Sequence, residues 1–391
     1  MSAGLKYILA ILCCLILANL YYAQPIISDI ASDVGIATSD SGIIVTVTQI
    51  GYCLGVLFLV PLGDAVESRR LIGSLILGVF AALLSAAVSH SEISFLVSMF
   101  FIGLFSCAVQ IIIPISVGMA AEKERGQVVG LIISGALLGI VISRPLASFI
   151  TGFGHWRLTY FFAAGLMVLV GLLVRKLPRK TPTATGLSYP KMLLSMIKLF
   201  ALPGIKKRLG AMALVFTSFT MFWAAVPIAL KDILHFSHSE VALFSLVSLV
   251  APPCAIMAGR VIDKGRGFGL TVLSISMVGC AFIVTPIWGA YVLTFVLAAL
   301  LFDPGVHMTN VVIQQSVISL VPEARSRLNA LCIACTFTGG ATGSWLGPWL
   351  YSHYGWLTTV LAGASMVFIA LILHLSLRFT VGKHITATET S

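Results

Sequence analysis

Four polar side chains lie on one face of a helix predicted within an otherwise apolar stretch. They are spaced at i, i+4, i+7 and i+11, and at about 100° per residue such positions project within roughly 60° of one another. An aspartate at the centre of a membrane costs about 2.5 to 3.5 kcal/mol on insertion scales, which favours a functional role. The stripe consists of Asp303, His307, Asn310 and Gln314.

Asp303 carries the chemistry of this stripe. Because burial disfavours the charged form of a carboxyl group, Asp303 is predicted to exchange a proton, and His307 is predicted to modulate that exchange. Two other interpretations stay open: Asp303 pairs permanently with a cation, or it caps the helix break at Pro304. Arg144 is the candidate cation. Facing inward it would balance Asp303 or favour an anionic solute, and facing outward it would reach the outer surface.

A second group of candidates combines aromatic and amide side chains within the apolar stretches. Several occur as pairs three residues apart, which places both members on one helical face. Aromatic rings mixed with amides suit a cavity for an amphiphilic organic molecule, although any member could equally be a packing residue. The predicted cavity residues are Asn19, Tyr22, Gln49, Tyr52, Gln110, Arg144, Trp223, Asn310 and Gln314.

The composition requires that membrane-spanning helices carry these residues. Hydrophobic residues make up 59% of the 391-residue chain and charged residues 10%, and the mean hydropathy is +1.05, which no soluble domain of this size shows. Apolar stretches that can cross a ~30 Å hydrocarbon core predict twelve transmembrane helices in an all-α membrane protein. They cover residues 7–26, 42–60, 71–88, 93–119, 128–150, 158–174, 209–230, 241–258, 268–287, 291–320, 328–350 and 357–377.

The chain repeats itself with an offset of 199 or 200 residues. Asp64 corresponds to Asp263 in this way, and Trp156 corresponds to Trp356. Two parallel copies predict two six-helix bundles related by a pseudo-twofold axis along the membrane normal, with a solute path between them. The predicted divisions are an N-terminal bundle (1–175), a cytoplasmic basic linker (176–207), a C-terminal bundle (208–378) and a cytoplasmic tail (379–391).

The distribution of cations predicts the orientation in the membrane. If both termini are cytoplasmic, 21 of the 24 Lys and Arg residues lie on the cytoplasmic side, the exceptions being Arg144, Arg157 and Lys231. The net charge of +10 therefore requires no nucleic-acid partner. Within the linker, residues 191–202 are either an amphipathic helix on the anionic inner leaflet or a solvated segment without defined structure. The cysteine and histidine spacings predict no metal site or other cofactor.

Charged residues at helix ends predict a conformational gate on the cytoplasmic side. The turn after the second span carries an aspartate and two arginines, and the matching turn of the second half carries a glycine and an aspartate. An arginine follows each aspartate by about 61 residues. Contacts among such charges form only while these helix ends are together, although the charges could also serve only to fix the topology. The gate residues are Asp64, Arg69, Arg70, Arg125, Gly259, Asp263 and Arg325.

Three segments resemble the major facilitator superfamily, in particular its bacterial efflux-type members. They are Asn-Leu-Tyr-Tyr-Ala-Gln-Pro at 19–25, Leu-Val-Pro-Leu-Gly-Asp at 59–64 and Ala-Arg-Ser-Arg-Leu-Asn-Ala at 324–330. The chain departs from the usual loop pattern at Glu67 and Ser68, where the family commonly has glycine and a basic residue. The resemblance covers the whole chain apart from the central linker.

The resemblance implies the major facilitator fold and a secondary transporter in the bacterial inner membrane. Such a protein moves a small organic solute by alternating access, and proton-coupled efflux is the expected form. Proton symport or facilitated uptake of a nutrient is the alternative, and a transporter-like membrane sensor is the alternative outside transport. We expect a non-enzymatic monomer whose partners are the solute, protons and membrane lipid.

Overall fold

The computed structural model describes residues 3–64, 66–121, 124–177, 189–202, 204–287, 291–321 and 324–377. All regular structure in these residues is helical. The helices of the first half are α1 (Ala3–Ala18), α2 (Ile27–Val34), α3 (Ile43–Leu54), α4 (Ser68–Val88), α5 (Glu92–Ser106), α6 (Ala108–Met119), α7 (Arg125–Thr151) and α8 (Arg157–Val174). After α9 (Tyr189–Phe200), the second half has α10 (Ile205–Leu234), α11 (His238–Ser245), α12 (Ala251–Asp263), α13 (Gly267–Ile287), α14 (Val292–Ile318) and α15 (Arg325–Leu375).

Ten helical segments among the described residues are long and apolar enough to cross a membrane. The last one, within α15, includes both of the final predicted spans. As one straight helix, the 51 residues of α15 would measure about 76 Å, but Gly355 interrupts it with φ 78° and ψ −178°. The first predicted span corresponds to the shorter apolar helix Gly4–Ala18. The twelve predicted spans are therefore not reproduced one for one.

Corresponding helices pack in the same way in the two halves. α1 packs along α7, and α10 packs along α15. Glycines make both contacts close, because a β-carbon on Gly139 would lie 2.1 Å from the carbonyl oxygen of Cys14, and one on Gly343 would lie 2.0 Å from that of Thr217. Small residues of this kind let helix backbones approach one another in lipid. These small-residue faces are thus contact surfaces between helices.

A helix occupies part of the linker between the halves. α9 places Ser195 against the start of α15, where its hydroxyl accepts a hydrogen bond of 2.8 Å from Arg327. Leu194 and Ile197 are exposed, as are the neighbouring cations Lys191 and Lys198. An exposed surface with both apolar and basic residues agrees with the amphipathic-helix interpretation. Its contact with the inner leaflet stays a prediction, and residues 178–188 of the linker lie outside the described residues.

We expect Gly139→Val to destabilise the protein by about 1–3 kcal/mol, because the added side chain overpacks the contact between α7 and α1. Gly130 provides the matched control on the same helix, since a β-carbon there meets no atom within 4 Å. Thermal unfolding in detergent measures both variants. Equal melting temperatures for Gly139→Val and Gly130→Val would show that this close contact does not stabilise the first half.

Candidate functional site

Arg144 and Asp303 form a buried ion pair between the two halves. Arg144 Nη1 lies 3.9 Å from Asp303 Oδ2, and each side chain is 1% exposed. Arg144 belongs to α7 of the first half, and Asp303 belongs to α14 of the second. A proline directly follows each of them, and proline removes a backbone hydrogen bond and bends a helix. The structure therefore brings the predicted aspartate and its candidate cation together.

Hydrogen bonds hold the guanidinium group of Arg144 from both sides. Its Nε donates to Gln24 Oε1 at 3.1 Å, and its Nη1 donates to Ser248 Oγ at 3.2 Å. Gln24 belongs to the first half, whereas Ser248 belongs to the second. The carboxylate of Asp303 is held in turn by Trp223, whose Nε1 donates to Oδ1 at 2.8 Å. One connected network thus joins the halves, and we call these five residues the Arg144 network.

Aromatic rings surround the charge of Arg144. Its guanidinium carbon lies 4.0 Å from the ring centroid of Trp223, 5.3 Å from that of Phe219 and 5.8 Å from that of Tyr21. Cations are attracted to the faces of such rings, most strongly where water is excluded. The rings and the nearby carboxylate together compensate the loss of hydration that burial imposes on the guanidinium group.

Three atoms of the Arg144 network are buried without a hydrogen-bond partner. They are Arg144 Nη2, Gln24 Nε2 and Asp303 Oδ2, which are two donors and one acceptor. Most buried polar groups in folded proteins are hydrogen-bonded, so unpaired ones at a connected site require an explanation. The network is therefore incomplete as a set of hydrogen bonds, although its formal charges balance.

The rest of the predicted stripe on α14 has varied surroundings. His307 is 7% exposed, and its ring lies edge-on to Phe219 with 5.7 Å between centroids. Asn310 is half-buried, and its Oδ1 has no hydrogen-bond partner. Gln314 donates a hydrogen bond of 2.6 Å to Asn329 of α15. The stripe thus runs from the contact between halves toward a contact within the second half.

Three other predicted cavity residues meet where α3 faces α15. Gln110 donates a 2.9 Å hydrogen bond to the hydroxyl of Tyr52, and the ring of Tyr52 lies 4.2 Å from that of Phe337. Gln49 is fully buried and neither polar atom of its amide has a partner. It packs on Gly340, where a β-carbon would lie 2.2 Å from Gln49 Oε1.

Two candidates from the first predicted span, which lie just after α1, are buried. Asn19 Nδ2 donates to the carbonyl oxygens of Leu15 and Ile16, at 3.1 and 3.0 Å, and contacts Met167 Sδ at 3.6 Å. Tyr22 is 2% exposed and belongs to the hydrophobic core. The hydrogen bonds of Asn19 connect it to its own half, so they favour the packing interpretation for this residue.

Gln24 and Ser248 are not among the site residues predicted from the sequence. Gln24 lies in the segment 19–25 that carries the family resemblance, and a buried amide in an apolar stretch was a usable signal. Ser248 gives no such signal, because serine is common in membrane helices and can bond its own backbone. Only the packing of α7 against the segment before α12 identifies it.

The charges predicted to form the cytoplasmic gate lie at the end of the molecule where α1 begins and α15 ends, here called the terminal end. Arg70 pairs with Glu67 at 3.0 Å, Arg69 is half-buried and Arg325 is exposed. A β-carbon on Gly259 would meet no atom within 4 Å. The side chains of Asp64, Arg125 and Asp263 lie outside the described residues, so their pairing stays a prediction.

The opposite end of the molecule, reached by α2 and by the last turn of α10, is here called the distal end. Lys231 Nζ lies 2.9 Å from Asp29 Oδ2 and 3.3 Å from the hydroxyl of Ser28. His238 Nε2 lies 3.6 Å from Asp29 Oδ1. Asp29 is in the first half, and both of its partners are in the second. These contacts hold the halves together at the distal end.

Neighbouring hydrogen bonds join α3 to α15 across the same division. The hydroxyl of Thr46 donates to the carbonyl oxygen of Ala341 and contacts the hydroxyl of Ser344, both at 3.0 Å. A β-carbon on Gly42 would lie 2.0 Å from the carbonyl oxygen of Ser344. In this structure the halves are therefore closely packed on the distal side of the membrane region.

Long apolar helices, a buried polar network between two repeated halves and contacts concentrated at one end define a membrane transport protein. The family model of the Major Facilitator Superfamily matches residues 9–202 and 209–389. The chain belongs to this superfamily. It is a non-enzymatic membrane transporter with the major facilitator fold.

Relatives along the whole length support this assignment. The chain is 34% identical over 385 residues to the putative uncharacterized transporter YgaY of Escherichia coli, and the match covers 95% of each chain. It is 23% identical to the probable sugar efflux transporter of Pasteurella multocida, with 91% of this chain and 88% of the relative covered. The fold is similar to that of the human organic anion transporter MFSD10 (TETRAN), with a TM-score of 0.70, 15% identity and coverage of 96% and 100%.

We expect Asp29→Lys to increase the population in which the halves are separated at the distal end, without reversing the overall preference, because it places two like charges opposite each other. Lys231→Asp should do the same, and the double exchange should restore closure by restoring the attraction. Spin labels on Ser32→Cys and Ser239→Cys, which are exposed positions in opposite halves, measure the distance in a background without reactive native cysteines. The single variants should lengthen it and the double variant should shorten it again.

Asp33 is the matched control at the same end, because its pair with Arg157 lies within the first half. Partial burial raises the pKa of Asp33, but the hydrogen bond and charge of Arg157 and the hydrogen bond from Trp156 outweigh it and hold that pKa below its usual value. At pH values above the ordinary pKa of aspartate, Asp33→Asn should lower the stability of the protein by a small amount. This effect should disappear as the pH falls through the lowered pKa of Asp33. The label distance should not change. An equal lengthening in Asp33→Asn would mean that Asp29 has no special role.

Proposed function

We propose that this transporter exports a small organic solute across the bacterial inner membrane by alternating access, in exchange for protons that bind Asp303. Both termini are proposed to be cytoplasmic, so that the distal end faces the outside. The observation that carries the proposal is the ion pair between Arg144 and Asp303, which joins the two moving halves within the buried core. The direction is supported by the similarity to a relative named as a probable sugar efflux transporter.

Protonation of Asp303 changes how strongly the halves attract each other. While the carboxylate is charged, it compensates Arg144 and favours the arrangement closed at the distal end. A proton removes that charge, so separating the halves no longer requires separation of two opposite charges in an apolar environment. The proton thereby shifts the population toward the arrangement open at the distal end. His307, one helical turn away, is proposed to modulate this step.

The solute path is proposed to run between the halves from the terminal end to the Arg144 network. Gln49, Tyr52 and Gln110 are proposed to line it on the first half, and Trp223, Asn310 and Gln314 on the second. Because one chain supplies both walls of this path, a monomer suffices for transport. Membrane lipid surrounds the apolar outer surface, which includes many exposed large hydrophobic side chains.

Replacing Asp303 by asparagine tests proton coupling. We expect Asp303→Asn to abolish solute accumulation driven by a pH gradient, because the amide does not exchange a proton, while exchange of solute down its own gradient continues. Removing one partner of a buried pair costs about 3–5 kcal/mol, so the double variant Arg144→Gln/Asp303→Asn is measured beside it. Paired assays in inverted vesicles, with a pH gradient and by counterflow without one, give the result.

The polarity of the imposed pH gradient distinguishes the alternatives. Exchange for protons predicts that solute moves against the proton flow, whereas symport predicts that both move together and facilitated diffusion predicts no response. A sensor would bind solute without flux. If either folded variant still concentrates solute in response to the gradient, Asp303 is a structural partner of Arg144 and coupling occurs elsewhere.

A further prediction concerns the gate at the terminal end. We expect Asp64→Asn and Arg125→Ala to weaken the contacts that close this end, because each removes one of the opposite charges. Transport should slow, folding should persist, and the population should move toward the arrangement that is open at the terminal end and closed at the distal end. Labelling of a cysteine introduced into the terminal-end vestibule reports the population. Unchanged labelling together with an unchanged transport rate would limit these charges to a topological role.

A further inference from the structure

We propose that the Arg144 network recognises a neutral, hydroxylated solute, and that Gln24 is one of the residues that select it. This inference rests on the transport function proposed above and specifies the chemical class of the solute. Its basis is the set of unpaired atoms in a connected, buried site: the donors Arg144 Nη2 and Gln24 Nε2 and the acceptor Asp303 Oδ2.

These three atoms belong to Arg144 and to two side chains that each lie against it, Gln24 and Asp303. Gln24 Oε1 accepts from Arg144 Nε at 3.1 Å, which leaves the amide nitrogen of Gln24 available. The ion-pair distance of 3.9 Å is longer than a hydrogen bond, so Arg144 and Asp303 do not satisfy each other completely. Gln24 and Asp303 are fully buried, and Arg144 is 1% exposed. An arriving polar group would therefore exchange its hydration for these three partners.

The mixture of donors and an acceptor discriminates among solute groups. A hydroxyl group donates to Asp303 and accepts from Arg144 or Gln24, so it satisfies both kinds of partner. A carboxylate accepts from the two donors but is repelled by Asp303. An ammonium group donates to Asp303 but is repelled by Arg144 and leaves both donors unpaired. A neutral solute also preserves the charge balance of the pair, which a charged one would disturb.

The surrounding rings favour a solute with apolar faces between its hydroxyl groups. Tyr21, Phe219 and Trp223 lie around the guanidinium group at the distances given above. Ligand sites commonly combine apolar and aromatic walls with a few placed polar groups. Cyclic polyols have such a shape, because C–H groups cover their ring faces while hydroxyl groups project from the edges.

Recognition by Asp303 also explains why solute and proton would exchange. A solute hydroxyl donates a stronger hydrogen bond to the charged carboxylate than to the protonated carboxyl group. Binding of the solute and binding of the proton therefore oppose each other. Competition at this carboxyl group favours exchange transport without a separate coupling element.

Binding to the purified full-length protein in detergent tests the solute class without any gradient. The probes are neutral pentoses, hexoses, alditols and ribonucleosides, and each hexose is compared with its sugar acid and its amino sugar. Thermal stabilisation by each compound gives its affinity by linkage. We expect at least one neutral probe to bind, and at least tenfold more tightly than its charged derivatives. Binding of charged probes alone, or of no probe at all, overturns the proposal. The unpaired atoms of the Arg144 network would then be bridged by water only.

Two substitutions separate recognition by Gln24 from positioning of Arg144. Gln24→Glu keeps an oxygen that can accept from Arg144 Nε but replaces the free donor by an acceptor. Gln24→Leu removes both. Recognition predicts that Gln24→Glu, measured as folded protein, binds the neutral probe at least tenfold more weakly. Unchanged affinity in Gln24→Glu, with a loss only in Gln24→Leu, would assign Gln24 to positioning alone and contradict its selective role.

These results are distinguishable from a failure of the transport proposal. Binding of a neutral probe without any flux in vesicles would leave the recognition site intact and contradict proton-coupled export. Gradient-driven flux of a charged solute, with no binding of neutral probes, would do the reverse. Competition between a bound neutral probe and protons should also appear as weaker binding at lower pH in the original protein.

Discussion

The ion pair between Arg144 and Asp303 is the constraint on which the arrangement of the halves depends. Neither charge is tolerable alone in an apolar interior, and together they require hydrogen bonds and close packing to offset lost hydration. Gln24, Ser248 and Trp223 provide those bonds, and they come from both halves. Closure at the distal end is therefore the arrangement in which the charges compensate each other, and any opening must supply another partner, a proton or water.

The internal repeat builds the scaffold, and departures from the repeat build the site. Glycine contacts recur between α1 and α7 and between α10 and α15, so each half contains the same close-packed framework. At an offset of 200 residues, however, Arg144 corresponds to Ser344 and Asp303 corresponds to Gly103. Ser344 is uncharged and contacts Thr46, and a β-carbon on Gly103 would lie 1.9 Å from a carbonyl oxygen of α3. The charged pair therefore exists once, which gives two similar halves one functional centre.

The scaffold was more predictable from sequence than the site. Composition and apolar spacing are properties of each segment alone, so they indicated the spans, the repeat and the polar stripe on α14 before any packing was known. The partner of Asp303 depends on how helices of different halves face each other. Pairing with Arg144 was accordingly one of several open interpretations of Asp303. Nothing in the sequence indicated that Ser248 belongs to the site. Asp29 and Lys231 illustrate the same limit, because an ion pair separated by 202 residues is specified only by the tertiary arrangement. The break at Gly355 within α15 lies between the two final predicted spans, as the spacing of the apolar stretches indicated.

The free energies of the contacts between the halves decide which of them can govern the conformational equilibrium. Moving a two-state population from 1:99 to 99:1 requires about 5.5 kcal/mol. A partly exposed pair such as Asp29 with Lys231 contributes about 0–1 kcal/mol, and it is screened by salt at the surface. Breaking a buried pair by removing one partner costs about 3–5 kcal/mol. The buried pair alone thus approaches the required scale, and the surface pair adjusts it. In the proposed mechanism, a proton on Asp303 acts on the large contribution, so coupling at this residue would shift the preference of the whole molecule more than the charges at the distal end do.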